Sequence, residues 1–318
     1  MTNINNIEVP LVSIRCLAYN HEKYIRDALE GFIMQKTNFK FEAIVHDDAS
    51  TDNTAAIIRE YAEKYPDIIK PIFETENQYS KHDGSLARIV NAACKGKYIA
   101  LCEGDDYWID PYKLQKQVNF MESHPEYTMC FHNATEHFES GKIIDRPFST
   151  IKDKDYTGIE IYKKWIVPTA SVLLKKDIFF SKFYQNAKNN KDFIYGDIVL
   201  FLSCAHQGKV KGMSDCMSVY RKHEGGMIFN RSYQQDLIRL THDLAIYETF
   251  GKQYKATALH AYAYFSVDRC FMYSLTHKGI KTRYDILWKA LKKTPFYTIK
   301  RIIVYTIKKM IHCNSEKR

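Results

Sequence analysis

Three clusters of polar residues, each at the end of an apolar run, are where this chain could do chemistry. KYIALC (97–102) stops abruptly at Glu103, Gly104, Asp105 and Asp106. FEAIVHDDAS (41–50) ends in Asp47-Asp48, and LVSIRCLAYN (11–20) ends in Ala18, Tyr19 and Asn20. Adjacent carboxylates repel and resist desolvation. They either sit in water as turns or are held by something cationic. Oxygen ligands favour Mg2+ or Mn2+, and such an ion could neutralise the phosphates of a nucleotide. Further along stand Asp197 in YGDIVLF, and Arg221 and His223 in VYRKHEGG. Neutral imidazole also suits Mn2+. Each feature has a plainer reading as well. EGDD can be a solvated turn, DDASTD a helix cap, and Asp197 an N-cap. Arg88 can be a solvated helix face, Trp108 a core anchor, and His223 one loop histidine among twelve.

The elements that must position these residues follow from hydrophobic periodicity. Runs 11–20, 41–50, 68–74 and 97–102 read as strands, and 21–35, 51–65 and 85–96 as helices. Tyr24, Ala28, Leu29, Phe32 and Ile33 recur at helical spacing in the first helix. Ser50, Thr51 or Asp52 can cap the second, which Pro66 closes. This alternation implies right-handed crossovers and a mostly parallel sheet flanked by helices. Ligands of such sheets bind beyond the carboxyl ends of the strands. The three polar clusters should therefore open on one edge. The second half is less regular. It reads as a helix at 113–125, strands at 127–138 and 167–176, and a helix at 193–210 around Asp197. A strand at 217–227 runs into Gly225-Gly226, and helices follow from about 232.

Composition narrows the function classes. The 318 residues are 45% hydrophobic and 26% charged, an ordinary globular balance. The net charge of +9 is uneven: residues 289–318 hold nine Lys/Arg against Glu316 alone. The remainder is nearly neutral, which argues against nucleic acid as the partner of the main domain. Eight scattered cysteines without a CxxC pair suggest reduced, buried thiols in a cytoplasmic protein. No signal peptide or membrane-spanning run is visible. GxGxxG after the first strand and GxxxxGK[ST] are both lacking, which disfavours a glycine-loop phosphate cradle.

Taken together and in this order, LVSIRCLAYN, FEAIVHDDASTDNT, LARIVNAACKGKYIALCEGDDYW, YGDIVLF and VYRKHEGG resemble glycosyltransferase family 2, of the GT-A fold and the bacterial surface-polysaccharide type. The resemblance covers roughly residues 11–227. Leu17-Ala18 stands where the family usually has Pro-Thr or Pro-Ser, and Glu103 where it often has Asp.

The resemblance implies a GT-A domain over 1–230, with a nucleotide-binding half at about 8–112 and an acceptor half at about 113–230. A helical C-terminal region fills 231–318. The implied activity is an inverting, metal-dependent transfer from a UDP- or similar nucleotide-sugar to a glycan or lipid-linked acceptor. Asp105, Asp106 and His223 would hold Mn2+ or Mg2+ at the donor diphosphate, with Glu103 on ribose or metal-bound water. Asp48 and Asp47 would accept from the nucleobase beside Ala18, Tyr19 and Asn20. Arg88 would hold base or phosphate, and Arg221 would clamp the diphosphate. Asp197 would be the general base. Trp108 would floor the acceptor site, and Gly225-Gly226 would let the last loop move.

The competing readings are a nucleotide-sugar-binding module without catalysis and a sugar nucleotidyltransferase. The basic tail, TPFYTIKRIIVYTIKKMIHC (294–313), reads as an interfacial membrane helix or as a helix packed on the domain. The first reading places the protein peripherally at the inner face of the cell membrane.

Overall fold

The computed structural model describes residues 9–223, 233–272 and 277–315. Four strands, β1 (Val12–Ala18), β2 (Phe41–Asp47), β3 (Ile69–Phe73) and β4 (Tyr98–Leu101), alternate with α1 (Ile25–Ile33), α2 (Thr54–Lys64) and α3 (Ser85–Ala93). Next come β5 (Tyr107–Trp108), α4 (Lys113–Ser123), β6 (Tyr127–Phe138), β7 (Arg146–Pro147), β8 (Lys154–Asp155), α5 (Gly158–Lys164) and β9 (Leu173–Lys175). Then α6 (Lys182–Lys188), α7 (Gly196–Gln207) and the long β10 (Lys209–Lys222) follow. The last helices are α8 (Tyr233–Phe250), α9 (Lys255–Met272), α10 (His277–Lys293) and α11 (Pro295–Ser315).

The strands form one sheet in the order β3-β2-β1-β4-β9-β6-β10-β5, with β7 on β6 and β8 on β10. β3, β2, β1 and β4 are parallel, as their helical crossovers require. β9 runs antiparallel between β4 and β6, and β5 antiparallel on β10. Helices cover the central strands on both faces, so β1 and β2 are buried along almost their whole length. On α1 the residues Ile25, Ala28, Leu29 and Phe32 are buried at helical spacing against this sheet.

The chain divides into two compact units. One comprises Met1–Gln185 and Leu200–Gly226, the other Asn186–Val199 and Met227–Arg318. The first contains the sheet and its core. In the second, α9 packs against α8, α10 and α11, around Tyr262, Ile286 and Ala290. Among the described residues no helix is long and apolar enough to cross a membrane.

Departures from the sequence reading lie in the second half. The strand expected over 167–176 shrinks to Leu173–Lys175 behind a short turn of 3-10 helix. The helix expected over 193–210 ends at Gln207, and β10 starts at once with Lys209. α5 is capped by Thr157, whose hydroxyl accepts from the Glu160 amide while the Glu160 carboxylate returns to the Thr157 amide.

Lys113 is fully buried beneath β5. Its ammonium lies 3.9 Å from the centre of the Trp108 ring and donates to Gln117 Oε1 at 2.8 Å. Burial pushes its pKa down to about 7. Between that value and the ordinary 10.5, the unfolded chain binds a proton that the folded chain does not. Stability should therefore rise with pH through this window, by about 3–5 kcal/mol. Comparing urea midpoints of the parent and Lys113→Met from pH 6.5 to 10 checks it, since the variant should lack that increment.

Candidate functional site

The register of the parallel strands fixes the site. Ala18 at the end of β1 pairs with Asp47 at the end of β2. Beyond β4 the chain continues along β1, with the Cys102 amide on the Arg15 carbonyl and the Gly104 amide on that of Leu17. This brings the EGDD turn level with Ala18. The Asp48 amide in turn donates to the Ala18 carbonyl. The carboxyl ends of β1, β2 and β4 thus meet on one edge, as the sequence implies. Gly104 is needed there: a Cβ would lie 2.9 Å from His21 Nδ1 and 3.0 Å from Ala18 Cβ.

Asn20 takes a left-handed conformation, φ 56°, which asparagine tolerates. Its amide donates to Ser50 Oγ, and its side-chain oxygen accepts from the Thr51 amide. The His21 and Glu22 amides donate to Thr54 Oγ1 and Asp52 Oδ2. The ASTDNT stretch therefore ties two strand ends together, and the N-cap of α2 is Asn53 rather than an earlier residue. Tyr19 projects from this loop, exposed.

Asp47 and Asp48 have different tasks. Both oxygens of Asp48 are used by backbone amides, those of Gln78 at 2.7 Å and Tyr79 at 3.0 Å. This carboxylate, expected to read a nucleobase, holds the segment after β3 against the sheet edge. Asp47 accepts from the Ser50 amide with Oδ2, while its buried Oδ1 has no hydrogen-bond partner. Of the two, Asp47 is the acid with an oxygen that takes no amide.

Asp105 is the centre of the site. Its Oδ2 lies 3.0 Å from His223 Nε2 and 3.9 Å from His21 Nε2. Burial acts to raise its pKa, but the His223 bond and the charge of both imidazoles prevail and hold it below the ordinary carboxylate range. His21 is pushed down by its own burial, with Asp105 opposing. The Tyr24 ring packs on His223 at 4.5 Å between centroids. His21 was not among the residues singled out from the sequence, although it directly follows the Tyr19-Asn20 strand end.

Three of the expected roles are corrected by the geometry. Asp106 is not placed as a ligand beside Asp105. It is buried, and its Oδ1 accepts from the Arg221 amide at 2.9 Å, bracketing β10. Burial, then the neighbouring Asp105 charge, push its pKa well above the carboxylate range.

Arg221 is not free to clamp a diphosphate, with a side chain only 7% exposed. Its Nε donates to the Asp105 carbonyl, Nη2 to Asp27 and Nη1 to Glu139. The rings of Tyr24 and Tyr107 lie 5.0 and 4.9 Å from the guanidinium. Arg221 is a positioning residue that fixes the backbone carrying the Asp105 carboxylate.

Trp108 is core rather than acceptor floor. Its Nε1 donates to the Ala170 carbonyl at 2.8 Å, and its ring meets Phe32 edge-on at 5.1 Å.

The remaining expected residues are placed as follows. Glu103 begins the turn, its carbonyl accepting from the Asp106 amide. Arg88 is exposed and turned back to the Asp83 carbonyl, at 2.7 Å. Asp197 lies in the first turn of α7, exposed, in the second unit. Gly225 and Gly226 lie outside the described residues.

Whether a divalent ion fits can be judged from the donors. Asp105, His223 and His21 offer one carboxylate and two imidazoles, a set that suits Mn2+ better than Mg2+. Among the described residues no group of three acids, histidines or cysteines is already arranged as a metal cage. The donors therefore fit an open position with few protein ligands.

Comparison with known proteins bears on this arrangement. The model of glycosyl transferase family 2 matches residues 13–180. An uncharacterised protein of Mycobacterium tuberculosis is 37% identical over 217 residues, which is 68% of this chain and 60% of that protein. This chain thus spans only part of that relative's length. The Escherichia coli UDP-Glc:alpha-D-GlcNAc-diphosphoundecaprenol beta-1,3-glucosyltransferase WfaP is 28% identical over 72% of this chain and 83% of its own length. The crystal structure of S. aureus TarS residues 1–349 in complex with UDP-GlcNAc superposes with a TM-score of 0.62. That likeness covers 91% of this chain and 83% of that one at 16% identity, so it is a likeness of fold, the GT-A-like one. By its family-model match, which takes in the carboxyl ends of β1, β2 and β4, the chain belongs to glycosyl transferase family 2.

Proposed function

We propose that the protein moves a sugar from a nucleotide-sugar, a UDP-sugar or a close analogue, to a hydroxyl of a glycan or lipid-linked acceptor during cell-surface polysaccharide assembly. The observation that carries this reading is the meeting of Asp47, Asp105, His21 and His223 at the carboxyl edge of parallel strands in a family 2 chain. The relatives' names point to the same class of donor and product.

In this reading Asp48, with Asp47 beside it, accepts an N–H of the base, since a carboxylate with one amide on each oxygen keeps acceptor capacity, and Tyr19 borders the nucleotide. Asp48 holds the segment at residues 77–79 that shapes the same edge. Asp105 and His223 would hold Mn2+, which when bound supplies Lewis-acid neutralisation of the diphosphate leaving group. Arg221 keeps the Asp105 backbone fixed, which limits reorganisation as charge develops. By the family resemblance Asp197 is the proposed general base that takes the proton of the acceptor hydroxyl, with inversion at the anomeric carbon as the proposed outcome.

Asp197→Asn tests the division of labour. Turnover should fall by about 10²–10⁴-fold, the usual share of a general base. Donor affinity measured by calorimetry should stay within about threefold of the parent, because this residue is assigned to the acceptor proton alone. Retained turnover, or donor binding lost along with it, contradicts the assignment.

A further inference from the structure

α11 carries its polar and apolar sides in the opposite sense from a helix solvated by water. Inward it presents Thr298, which with the preceding Thr294 is buried and hydrogen-bonded to the Ala290 carbonyl. Arg301 also points inward, paired with both oxygens of Asp268 and lying 3.5 Å from the centre of the Tyr264 ring. That pairing takes Arg301 off the exposed side of the basic tail. Outward the helix presents Phe296, Ile299, Ile303 and Ile307, exposed by 71%, 51%, 53% and 49%.

Spacings of three and four residues put these side chains on one stripe, roughly 16 Å long at 1.5 Å per residue. Lys300 and Val304 flank it, both exposed. α10 adds exposed Tyr284 and Trp288, with the Lys292 ammonium 5.0 Å from the Trp288 ring centre. Single exposed apolar residues are ordinary, but a continuous stripe edged with lysines marks a binding surface. Its charge selects the partner, since residues 289–318 carry nine Lys/Arg against one acid.

We propose that α11, with the end of α10, docks on an anionic lipid surface. The Phe296–Ile307 stripe enters the boundary between headgroups and acyl chains, and Lys292 and Lys300 sit among anionic headgroups. Aromatic rings such as Trp288 and Tyr284 favour that same boundary. A second copy of the chain would cover the apolar stripe equally well but would bring the lysines face to face, which charge repulsion opposes. The inference concerns a surface and not the transfer reaction, so it stands or falls separately from the proposed function.

The experiment is sedimentation of the full chain with vesicles of phosphatidylcholine alone and of phosphatidylcholine with phosphatidylglycerol. The parent should pellet with the anionic vesicles, lose binding as salt rises, and remain in the supernatant with the neutral ones. Lys292→Gln with Lys300→Gln should weaken binding by about fivefold per lysine. Ile299→Glu with Ile303→Glu should abolish it while leaving circular dichroism and the melting curve unchanged. Should the glutamate pair disturb folding, the lysine pair decides alone. Three results overturn the proposal: a parent that does not bind anionic vesicles, substituted proteins that bind as well as the parent, or a dimeric parent that the glutamate pair converts to monomer.

Discussion

Asp105→Asn should lower sugar transfer by about 10²–10⁴-fold and weaken donor binding with it. The amide keeps the size of the side chain but removes the charge that His21 and His223 face at 3.9 and 3.0 Å. Asparagine is also a poor ligand for a divalent ion, so any dependence on Mn2+ should weaken in parallel. Asp197→Asn, in contrast, should spare donor affinity. Steady-state kinetics on both proteins, together with donor titrations, separates the two carboxylates. An Asp105→Asn protein with parental kcat and donor affinity would remove Asp105 from the centre of the site.

Arg221→Met should be the most destabilising single change near the site, by about 2–4 kcal/mol. The guanidinium holds the Asp105 carbonyl, Asp27 and Glu139 at once, between two tyrosine rings. Asp27 and Glu139 are both partly exposed, so water can recover part of the loss, and the cost stays below that of a fully enclosed charge. Arg221→Lys should fall in between, since an ammonium cannot serve three partners in a planar fork. A positioning role makes a further demand. Arg221→Met should lose donor affinity as well as stability, whereas Leu29→Ala, a core change of similar cost, should lose stability alone. Urea unfolding and donor calorimetry on the same samples check both. Equal donor affinities in these two proteins would reduce Arg221 to a structural tie.

The first hundred residues were legible because each element there is complete on its own. β1 and β2 are buried on both faces and so read as continuous apolar runs, and α1 shows its core face at regular spacing. The second half was less legible because its elements borrow their partners. β5 has two residues and exists by pairing with β10, which itself carries register shifts along β6. The capping box of Thr157 and Glu160 was readable but is followed by a helix of only seven residues.

The same division runs through the site. Asp105 and His223 were visible as chemistry-bearing residues at a strand end and in a late loop. The part played by Arg221 was not, because Asp27 and Glu139 lie 194 and 82 positions away. Trp108 follows two carboxylates, and nothing local shows that Phe32, Lys113 and Ala170 enclose it. Asp47 and Asp48 are adjacent and chemically identical. Only the course of residues 77–79 separates the one that takes an amide on each oxygen from the one whose Oδ1 takes none.

The most direct measurement is a calorimetric titration of the full chain with a panel of nucleotide diphosphate sugars, with and without Mn2+, alongside Asp105→Asn. The strand-end acids and the histidines around Asp105 predict that at least one donor binds, that Mn2+ tightens it by tenfold or more, on the order expected for one neutralised diphosphate contact, and that Asp105→Asn abolishes the gain. A panel in which no nucleotide sugar binds, or in which parent and Asp105→Asn bind alike with and without the ion, would contradict the account.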